Sequence, residues 1–301
     1  MQSARSTVET LGLRLVVRIL RKLGPVRSSD WLGAFARTIG PHLPVSCIAD
    51  VNLRLAFPEL DAGERRGVLL AAWENLGRTM GEFPHIGRLQ QVPNGPGWEI
   101  VGAETLQAVA AQGGPAIFFS GHIGNWEMLP AACAAYGVPF SPMFRAANNP
   151  DVAALVTALR RDAIGVPVPM FAKGPEGARK ALAHLRQGGF LGLLVDQKLN
   201  DGLEATLFGH KTFTTTALAV LALHLRCPVI PGHVQRLGSA RLRLVCEPPM
   251  QLPDKGNRRT DIEATVQAMN GYLERWIRER PDSWLWMHRR WPKPFYARSS
   301  K

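Results

Sequence analysis

The residues of this chain that could do chemistry are concentrated in residues 115–129, PAIFFSGHIGNWEML. Four residues separate His122 from Glu127, so an imidazole and a carboxylate belong to one short segment. A carboxylate beside an imidazole fixes its tautomer and stabilises the imidazolium that forms on proton abstraction. The pair therefore predicts a general base, His122, assisted by Glu127. The alternative is a hydrogen-bonded structural histidine, which is the commoner role of a lone histidine.

The residues around this pair predict a strand, a loop and a helix start. Residues 116–119 are an apolar run between a proline and a Ser-Gly pair, which is typical of a buried strand. Asn125 and Glu127 are start signals for an apolar helix over residues 128–136. Such an arrangement would hold the imidazole and the carboxylate side by side at the end of a sheet.

The remainder of the chain alternates apolar runs with amphipathic segments. Residues 26–90 are predicted to be mostly helical, and residues 200–211 to be a polar loop. Further strands are predicted over residues 138–144, 190–195, 228–233 and 241–246, and further helices over residues 149–165, 214–225 and 261–280. The pattern favours an α/β fold in which a mixed β-sheet is flanked by helices, with a helical N-terminal region.

Composition limits the domain organisation and the chemistry. A chain of 301 residues with 46% hydrophobic content is long enough for one sizeable α/β core. We expect an amphipathic membrane-associating helix in residues 1–25 and a single α/β domain in residues 26–301. The four cysteines are far apart, and no Gly-rich phosphate loop or dinucleotide fingerprint is present. The sequence therefore predicts no metal and no cofactor.

The net charge of +12 predicts an anionic partner. Nucleic acid is disfavoured because no helix-turn-helix, zinc finger or aromatic-basic RNA signature accompanies the charge. Residues 8–23 predict a helix that can lie in the headgroup region of an anionic leaflet, although its charges make it a poor spanning helix or secretory signal. The alternative is an ordinary helix packed on the domain. Its apolar face comprises Val8, Leu11, Leu15, Val16, Ile19, Leu20 and Leu23, and its basic face Arg14, Arg18 and Arg21.

The Gly-His-x-Gly-Asn-Trp-Glu setting of His122 resembles the His-x4-Asp/Glu motif of the glycerolipid and lysophospholipid acyltransferase superfamily. In its Glu-containing form it looks like the bacterial lipid A late acyltransferases. Further matches follow in order along about residues 50 to 292: NLRLAFP at residues 52–58, Trp73, Asn75, Leu76 and Gly77, Phe144 with Arg145, Asn148, Asn149 and Pro150, Asp196-Gln197-Lys198 with Gly202, Phe208 and Gly209, and Pro281, Trp284, Trp286, His288, Arg289, Arg290 and Trp291.

The resemblance implies transfer of a fatty acyl chain from an acyl carrier protein thioester to a hydroxyl of a lipid A precursor. His122 would be the base, with Glu127 orienting it, and the thioester would be a co-substrate. The enzyme would act at the cytoplasmic face of the bacterial inner membrane as a peripheral or monotopic protein. Arg145 suits an acceptor phosphate, because a guanidinium matches phosphate bidentately. The full set of expected substrate-binding residues is Asn125, Arg145, Arg161, Asp196, Gln197 and Lys198.

Residues 175–179, PEGAR, imitate the Pro-Glu-Gly-Thr-Arg phosphate-binding block of the phospholipid-making branch. In that branch the block follows a strand, whereas here it precedes the predicted strand at residues 190–195. We interpret it as a helix start, which favours the lipid A branch.

Several alternatives remain open at this stage. The acceptor could be a phosphoinositide mannoside or a lysophospholipid, and the donor could be acyl-coenzyme A. From other classes, a thioester hydrolase is disfavoured because no Gly-x-Ser-x-Gly elbow is present, and a non-catalytic basic membrane-binding protein would not need His122. The tryptophans near the C-terminus could form either an interfacial patch or a packing cap.

Overall fold

A computed structural model describes residues 4–145 and 147–297 of the chain. Before the first strand these residues form the helices α1 (Ala4–Leu23), α2 (Pro25–Ile39), α3 (Val45–Ala56) and α4 (Ala62–Glu82). Gly24 separates α1 from α2 with a φ of 80°, which glycine adopts readily. Asp61 and Glu64 form a capping box at the start of α4. The predicted helical N-terminal region is confirmed.

Strands and helices alternate in the remainder of the described chain, which confirms the α/β class. In chain order the elements are β1 (Gly97–Val101), α5 (Ala103–Gln112), β2 (Ala116–Ser120), α6 (Met128–Ala135), β3 (Ser141–Phe144), α7 (Pro150–Ile164), β4 (Phe171–Ala172), α8 (Pro175–Arg186), β5 (Phe190–Leu194), β6 (Leu203–Leu207), β7 (His210–Thr214), α9 (Ala217–Leu225), β8 (Val229–Gly238), β9 (Arg241–Cys246) and α10 (Arg258–Glu279).

The main sheet is mixed and mostly parallel, with the strand order β1-β9-β8-β2-β5-β3-β4. Adjacent strands in it are parallel except for the antiparallel pair β8 and β9. In the central strand β2, Ala116 lies opposite Phe190 of β5, and Ile117 opposite Val229 of β8. Because β2, β3, β4 and β5 run in the same direction, their carboxyl ends meet at one edge of the sheet.

The sheet separates two apolar layers, one under α10 and one under α6. Every residue of β2 is buried, as expected of a parallel strand that is covered on both faces. On the α10 face Phe119 packs against Trp276, and on the α6 face Phe118 stacks on Phe140. The two layers form the core that holds the carboxyl edge in place.

The segment predicted as a polar loop, residues 200–211, belongs largely to the antiparallel hairpin of β6 and β7, so this prediction is wrong. The hairpin turn places Phe208 at φ 51° and Gly209 at φ 73°, which are the two positive angles of a type I′ turn. Phenylalanine is not a turn signal. Here its buried ring packs against Phe57, with 5.4 Å between the ring centroids, and tertiary packing stabilises the turn.

The PEGAR segment begins α8, as predicted. However, β4 immediately precedes it and pairs with β3, with Phe171 opposite Met143. The expectation that this segment does not follow a strand is therefore wrong. A strand of 2 residues has no periodicity that a sequence could show.

The tryptophan-rich segment near the C-terminus is a packing cap. Trp284, Trp286 and Trp291 are all buried, and so is Arg290. Asn52 Nδ2 donates hydrogen bonds of 2.7 Å to two backbone carbonyls of this segment, which attaches it to α3. The cap interpretation is confirmed, and the interfacial-patch interpretation is not.

Apolar side chains of α1 and α2 are exposed, and we call them the N-terminal apolar surface. Val8 is 69% exposed and Trp31 is 70% exposed. The other members are Leu11, Leu15, Val16, Ile19, Phe35 and Ile39. Leu20, predicted on the apolar face of α1, is instead buried against the domain. No helix in the described part of the chain has both the length and the apolar character needed to cross a membrane.

Asn149 ties α1 to α7. It caps the N-terminus of α7, where its Oδ1 accepts the backbone N–H of Asp151 at 3.1 Å. Its Nδ2 donates to Ser6 O at 3.0 Å and to Thr10 Oγ1 at 3.3 Å in α1. The predicted helix over residues 149–165 is confirmed, and its first residue contacts the N-terminal helix.

Candidate active site

The carboxyl ends of β2 and β5 bring two polar segments together. His122 follows β2, and Asp196 follows β5. The two strands are adjacent and parallel, and a hydrogen bond of 2.9 Å from Val195 N to Ser120 O extends their pairing. In open α/β sheets, ligand sites form outside the carboxyl ends of the strands. His122 and Asp196 meet at such an edge.

The carboxylate of Asp196 contacts both the backbone and the ring of His122. Its Oδ2 accepts the His122 backbone N–H at 2.8 Å, and its Oδ1 lies 2.8 Å from His122 Nδ1. Trp284 Nε1 donates to Oδ2, also at 2.8 Å. An ionised carboxylate only accepts hydrogen bonds, so Nδ1 carries the proton and Nε2 is left as the proton acceptor.

Asp196 stays ionised although it is buried. Burial raises the pKa of a carboxyl group, but the hydrogen bonds from His122 and the positive charge of its protonated form outweigh burial and lower the pKa of Asp196 well below its ordinary value. The side chain of Asp196 is 0% exposed, whereas that of His122 is 15% exposed. The imidazole is therefore open to a reactant while the carboxylate behind it is enclosed.

Glu127 contacts Arg160, and this differs from the predicted contact with His122. Arg160 Nε and Nη2 donate to the two carboxylate oxygens of Glu127 at 2.8 and 2.5 Å. Glu127 is the N-cap residue of α6, and α6 packs on α7, which carries Arg160. The carboxylate on the imidazole is that of Asp196, which the sequence placed among the substrate-binding residues.

On α7 it is Arg160, not the predicted Arg161, that reaches the site. Arg161 is exposed on the outer surface of α7. The guanidinium of Arg160 lies over the ring of Phe144, 5.4 Å from its centroid. Successive residues of a helix point about 100° apart, so these two neighbouring arginines lie on different sides of α7, and a substrate-binding role of Arg161 stays a prediction.

The other predicted substrate-binding residues fall into two groups. Asn125 is fully buried, and its Nδ2 donates to Glu82 Oε2 at 2.7 Å. Arg145 is exposed after β3, and Gln197 and Lys198 are half-buried after Asp196. The structure therefore places Asn125 inside the protein and the other three along the open edge of the site.

Lys173 also lies at this edge, and it was not predicted from the sequence. It follows β4, and its backbone N–H donates to Phe144 O at 2.8 Å, beside Arg145. Burial lowers the pKa of Lys173, the charge of Asp196 opposes the shift, and Arg145 adds to it. Lys173 is thus electrostatically linked to both residues. Lys173 is placed at this edge by β4, and a strand of 2 residues leaves no recognisable pattern in the sequence.

An apolar cavity lies beneath α6, against the sheet. The cavity is narrow, with a volume of about 80 Å³. Phe118, Phe140, Cys133 and Leu244 line it, and Arg160 with Glu127 borders it. Trp126 also lines the cavity and meets the His122 ring edge-on, with 5.0 Å between centroids. Trp126 therefore contacts both the cavity and the imidazole.

The described residues offer no ligand set for a metal ion. Among those residues, no group of three or more His, Cys, Asp or Glu side chains is placed to hold a metal ion.

Fold and site together define an α/β protein with a paired imidazole and carboxylate near an apolar cavity, at the carboxyl edge of a mostly parallel sheet. The sequence profile of the bacterial lipid A biosynthesis acyltransferase family matches residues 4–293. The chain belongs to this family, which confirms the resemblance and makes the protein an acyltransferase. A search of curated protein sequences finds no match to the chain.

Proposed function

We propose that the protein transfers a fatty acyl chain from an acyl carrier protein thioester to a hydroxyl of a lipid A precursor, with His122 as the general base. The observation that carries the proposal is the ionised, buried Asp196 on His122 Nδ1, because it directs the basic nitrogen Nε2 toward the open side. In this proposal Asp196 takes the orienting role that was predicted for Glu127.

The proposed reaction is a direct transfer. His122 Nε2 takes the proton of the acceptor hydroxyl, and the hydroxyl oxygen attacks the thioester carbonyl carbon. As the tetrahedral intermediate collapses, the carbon–sulfur bond breaks and the thiolate leaves. The proton on His122 passes to this sulfur, which restores the neutral imidazole. Asp196 stabilises the imidazolium between the two proton transfers.

The cavity beneath α6 suits the acyl chain of the donor. It is bordered by apolar side chains and opens beside Glu127 and Arg160. Because each of these charges neutralises the other, the mouth has two polar side chains but no net charge. We infer that the ion pair fixes the shape of the mouth and leaves the proton transfer to His122.

The basic edge suits the anionic parts of both substrates. Arg145, Lys173 and Lys198 follow three neighbouring strands on the side of His122. A phosphorylated acceptor would bring its charge to this edge. The net charge of +12 also complements an acidic carrier protein.

The N-terminal apolar surface supports attachment to the cytoplasmic face of the bacterial inner membrane. Exposed apolar side chains that lie on two helices in contact can form an interaction surface, and the helices that carry the N-terminal apolar surface also carry arginines such as Arg14, Arg18 and Arg27. Apolar side chains with flanking basic charge are typical of helices that lie in an anionic headgroup layer. We therefore propose monotopic attachment through both α1 and α2.

A transfer assay tests the proposed reaction. It would use detergent micelles, carrier-protein thioesters of several chain lengths and a tetra-acylated lipid A precursor, with mass spectrometry of the lipid. The wild type should add one acyl chain, and His122→Ala should reduce the rate by about 10²- to 10⁴-fold, the usual contribution of a general base. His224→Ala, an exposed histidine on α9, is the matched control. Thioester consumption without acylated lipid would support a hydrolase or another acceptor.

A flotation assay tests the membrane proposal. Vesicles with anionic lipid should bind the wild type more strongly than neutral vesicles, and Trp31→Ser with Phe35→Ser should weaken binding to both. The control replaces Val101 and Val166, which are exposed by 52% and 42% outside the N-terminal apolar surface, by serine. Equal loss of binding in the control would contradict attachment through α1 and α2.

A further inference from the structure

Glu82, at the last turn of α4, is a buried carboxylate that the proposed reaction does not use. Its side chain is fully buried. It accepts hydrogen bonds from Ser29 Oγ at 2.7 Å, from the backbone N–H of Ala240 at 3.0 Å, and from Arg236 Nη1. A negative charge at a helix C-terminus is unfavourable, and an unpaired buried charge would be more so. These hydrogen-bond donors compensate for the cost of burying the Glu82 carboxylate at this position.

Arg236, on β8, connects Glu82 to two further side chains of α4. Its Nε donates to Asn75 Oδ1 at 2.8 Å, and its Nη2 to Thr79 Oγ1 at 3.2 Å. Asn75 and Thr79 then donate to the same acceptor, the carbonyl of Gly124, at 3.2 and 3.1 Å. The charged pair therefore orients two donors onto one backbone carbonyl.

That carbonyl lies in the middle of the loop that carries His122 and Glu127. The next residue, Asn125, donates to the second oxygen of Glu82 at 2.7 Å. Gly124 itself has a φ of 59°, and a Cβ there would lie 2.0 Å from Val234 O. The centre of the loop is thus held at two consecutive residues by one buried network.

We infer that Glu82 is a positioning residue for acyl transfer: through Asn125, and through Arg236 with Asn75 and Thr79, it fixes the loop between His122 and Glu127. This inference rests on the proposed function for its kinetic readout. Buried ion pairs contribute little to stability compared with apolar packing, so the value of this pair lies in the geometry it imposes. A displacement of about 1 Å can cost on the order of 10²-fold in rate.

The most informative single variant is Asn125→Asp. Glu82→Gln alone is weaker evidence, because the contact could survive it. Asn125 Oδ1 has no hydrogen-bond partner among the described residues, so the Asn125 amide can rotate and accept a hydrogen bond from the new amide nitrogen at position 82. In Asn125→Asp two carboxylates face each other, and they can share the site only by taking up a proton. The ratio of its kcat to that of the wild type should therefore fall as the pH rises.

The double variant Glu82→Gln with Asn125→Asp restores the contact with reversed polarity. The amide oxygen introduced at position 82 can accept from Ser29, Arg236 and Ala240, while the amide nitrogen donates to the carboxylate at position 125. We expect Asn125→Asp to lower kcat by about 10- to 10²-fold with little change in KM, and the double variant to return to within a few-fold of the wild type. Asn270→Asp, at another fully buried asparagine in α10, is the matched control and should leave kcat unchanged.

The same variants are compared by ¹⁵N NMR of the His122 ring, assigned with His122→Gln. The ring signals should shift in Asn125→Asp and return in the double variant. Wild-type kinetics in the single variant, a loss confined to KM, or no recovery in the double variant would overturn the inference. If the wild type transfers no acyl chain, the proposed function fails, and the inference is decided by the ring signals alone: unmoved signals overturn it.

Discussion

The two faces of the central sheet differ in how they are filled. The rings of two neighbouring residues of β2 pack on opposite sides: Phe119 packs against Tyr272 and Trp276 of α10, whereas Phe118 stacks on Phe140 at the cavity under α6. The α10 face is a core closed by aromatic rings, and the α6 face leaves room for a ligand. One strand thus joins a stabilising layer to a binding layer, and the reactive residues follow at its carboxyl end.

Buried titratable groups in the two regions also differ in charge. On the α10 face, His233 stacks on Trp276 with 4.8 Å between centroids, and burial lowers its pKa to about 4, against the raising effect of Glu247. At the carboxyl edge, Asp196 is buried but remains charged through its contacts with His122. A buried neutral group contributes to packing, whereas a buried charged group with directed partners can act on a reaction.

The largest effect should come from the carboxyl edge. Asp196→Asn removes the charge and allows an amide N–H to face Nδ1, which favours the wrong imidazole tautomer. We expect kcat to fall by about 10³- to 10⁴-fold, as for comparable changes in other imidazole–carboxylate pairs. Asp201→Asn, in the exposed loop that follows, is the control. Near-normal turnover in Asp196→Asn would show that Asp196 does not orient the base.

On the closed face, His233 should make stability depend on pH. Its folded pKa of about 4 lies below the ordinary value of 6.5, so the unfolded chain binds more protons between these values. Stability is therefore full above about pH 6.5 and falls as the pH drops toward 4, by about 3 kcal/mol at most. His233→Phe keeps a ring on Trp276 and should flatten this part of the curve, measured by denaturant unfolding at several pH values. If the free energy of unfolding of His233→Phe depends on pH as it does in the wild type, His233 is not the cause of that dependence.

A matched pair of substitutions compares the faces directly. Cys133→Phe fills the cavity, whereas Cys227→Phe overfills the closed core, because Cys227 is buried in the α10-side cluster. The first should reduce transfer of long acyl chains relative to short ones with little change in unfolding. The second should cost about 1–3 kcal/mol of stability without changing chain preference. Equal effects on unfolding would mean that the cavity is closed in solution.

The smallest effect concerns Glu127. Because Glu127 contacts Arg160 and not the imidazole, Glu127→Gln should weaken one charge-assisted pair and lower kcat by about tenfold, the equivalent of one such hydrogen bond. The comparison with Asp196→Asn under the same assay conditions is the test. A loss as large as that of Asp196→Asn would return Glu127 to the role predicted from the motif.

The sequence predicted the helices and strands correctly where local signals were strong. The Asn149 cap and the Gly165 end of α7 are both where the sequence predicts them. The apolar run of β2 and the helix after it also match. The hairpin at Phe208 and the short strand β4 were missed, because the first depends on tertiary packing and the second has almost no length.

The sequence singled out residues that the structure brings together at the candidate site, but it did not predict their contacts. His122, Glu127 and Asp196 were all singled out, yet which carboxylate meets the imidazole depends on β5 lying beside β2. That adjacency is not a local property of any segment. The choice between Arg160 and Arg161 likewise depends on which side of α7 faces α6.

The bond between Asn149 and α1 bears on how the protein could be shortened for crystallisation. Trimming the chain at Gly24 to remove exposed apolar residues would also take away Ser6 and Thr10, the acceptors of Asn149 Nδ2. It would also uncover the parts of α2 and α7 on which α1 packs. Such a chain would have a loosened start of α7, the helix that carries Arg160. Replacing Trp31 and Phe35 by polar residues is therefore the gentler route to a more soluble protein, since it leaves α1 in place.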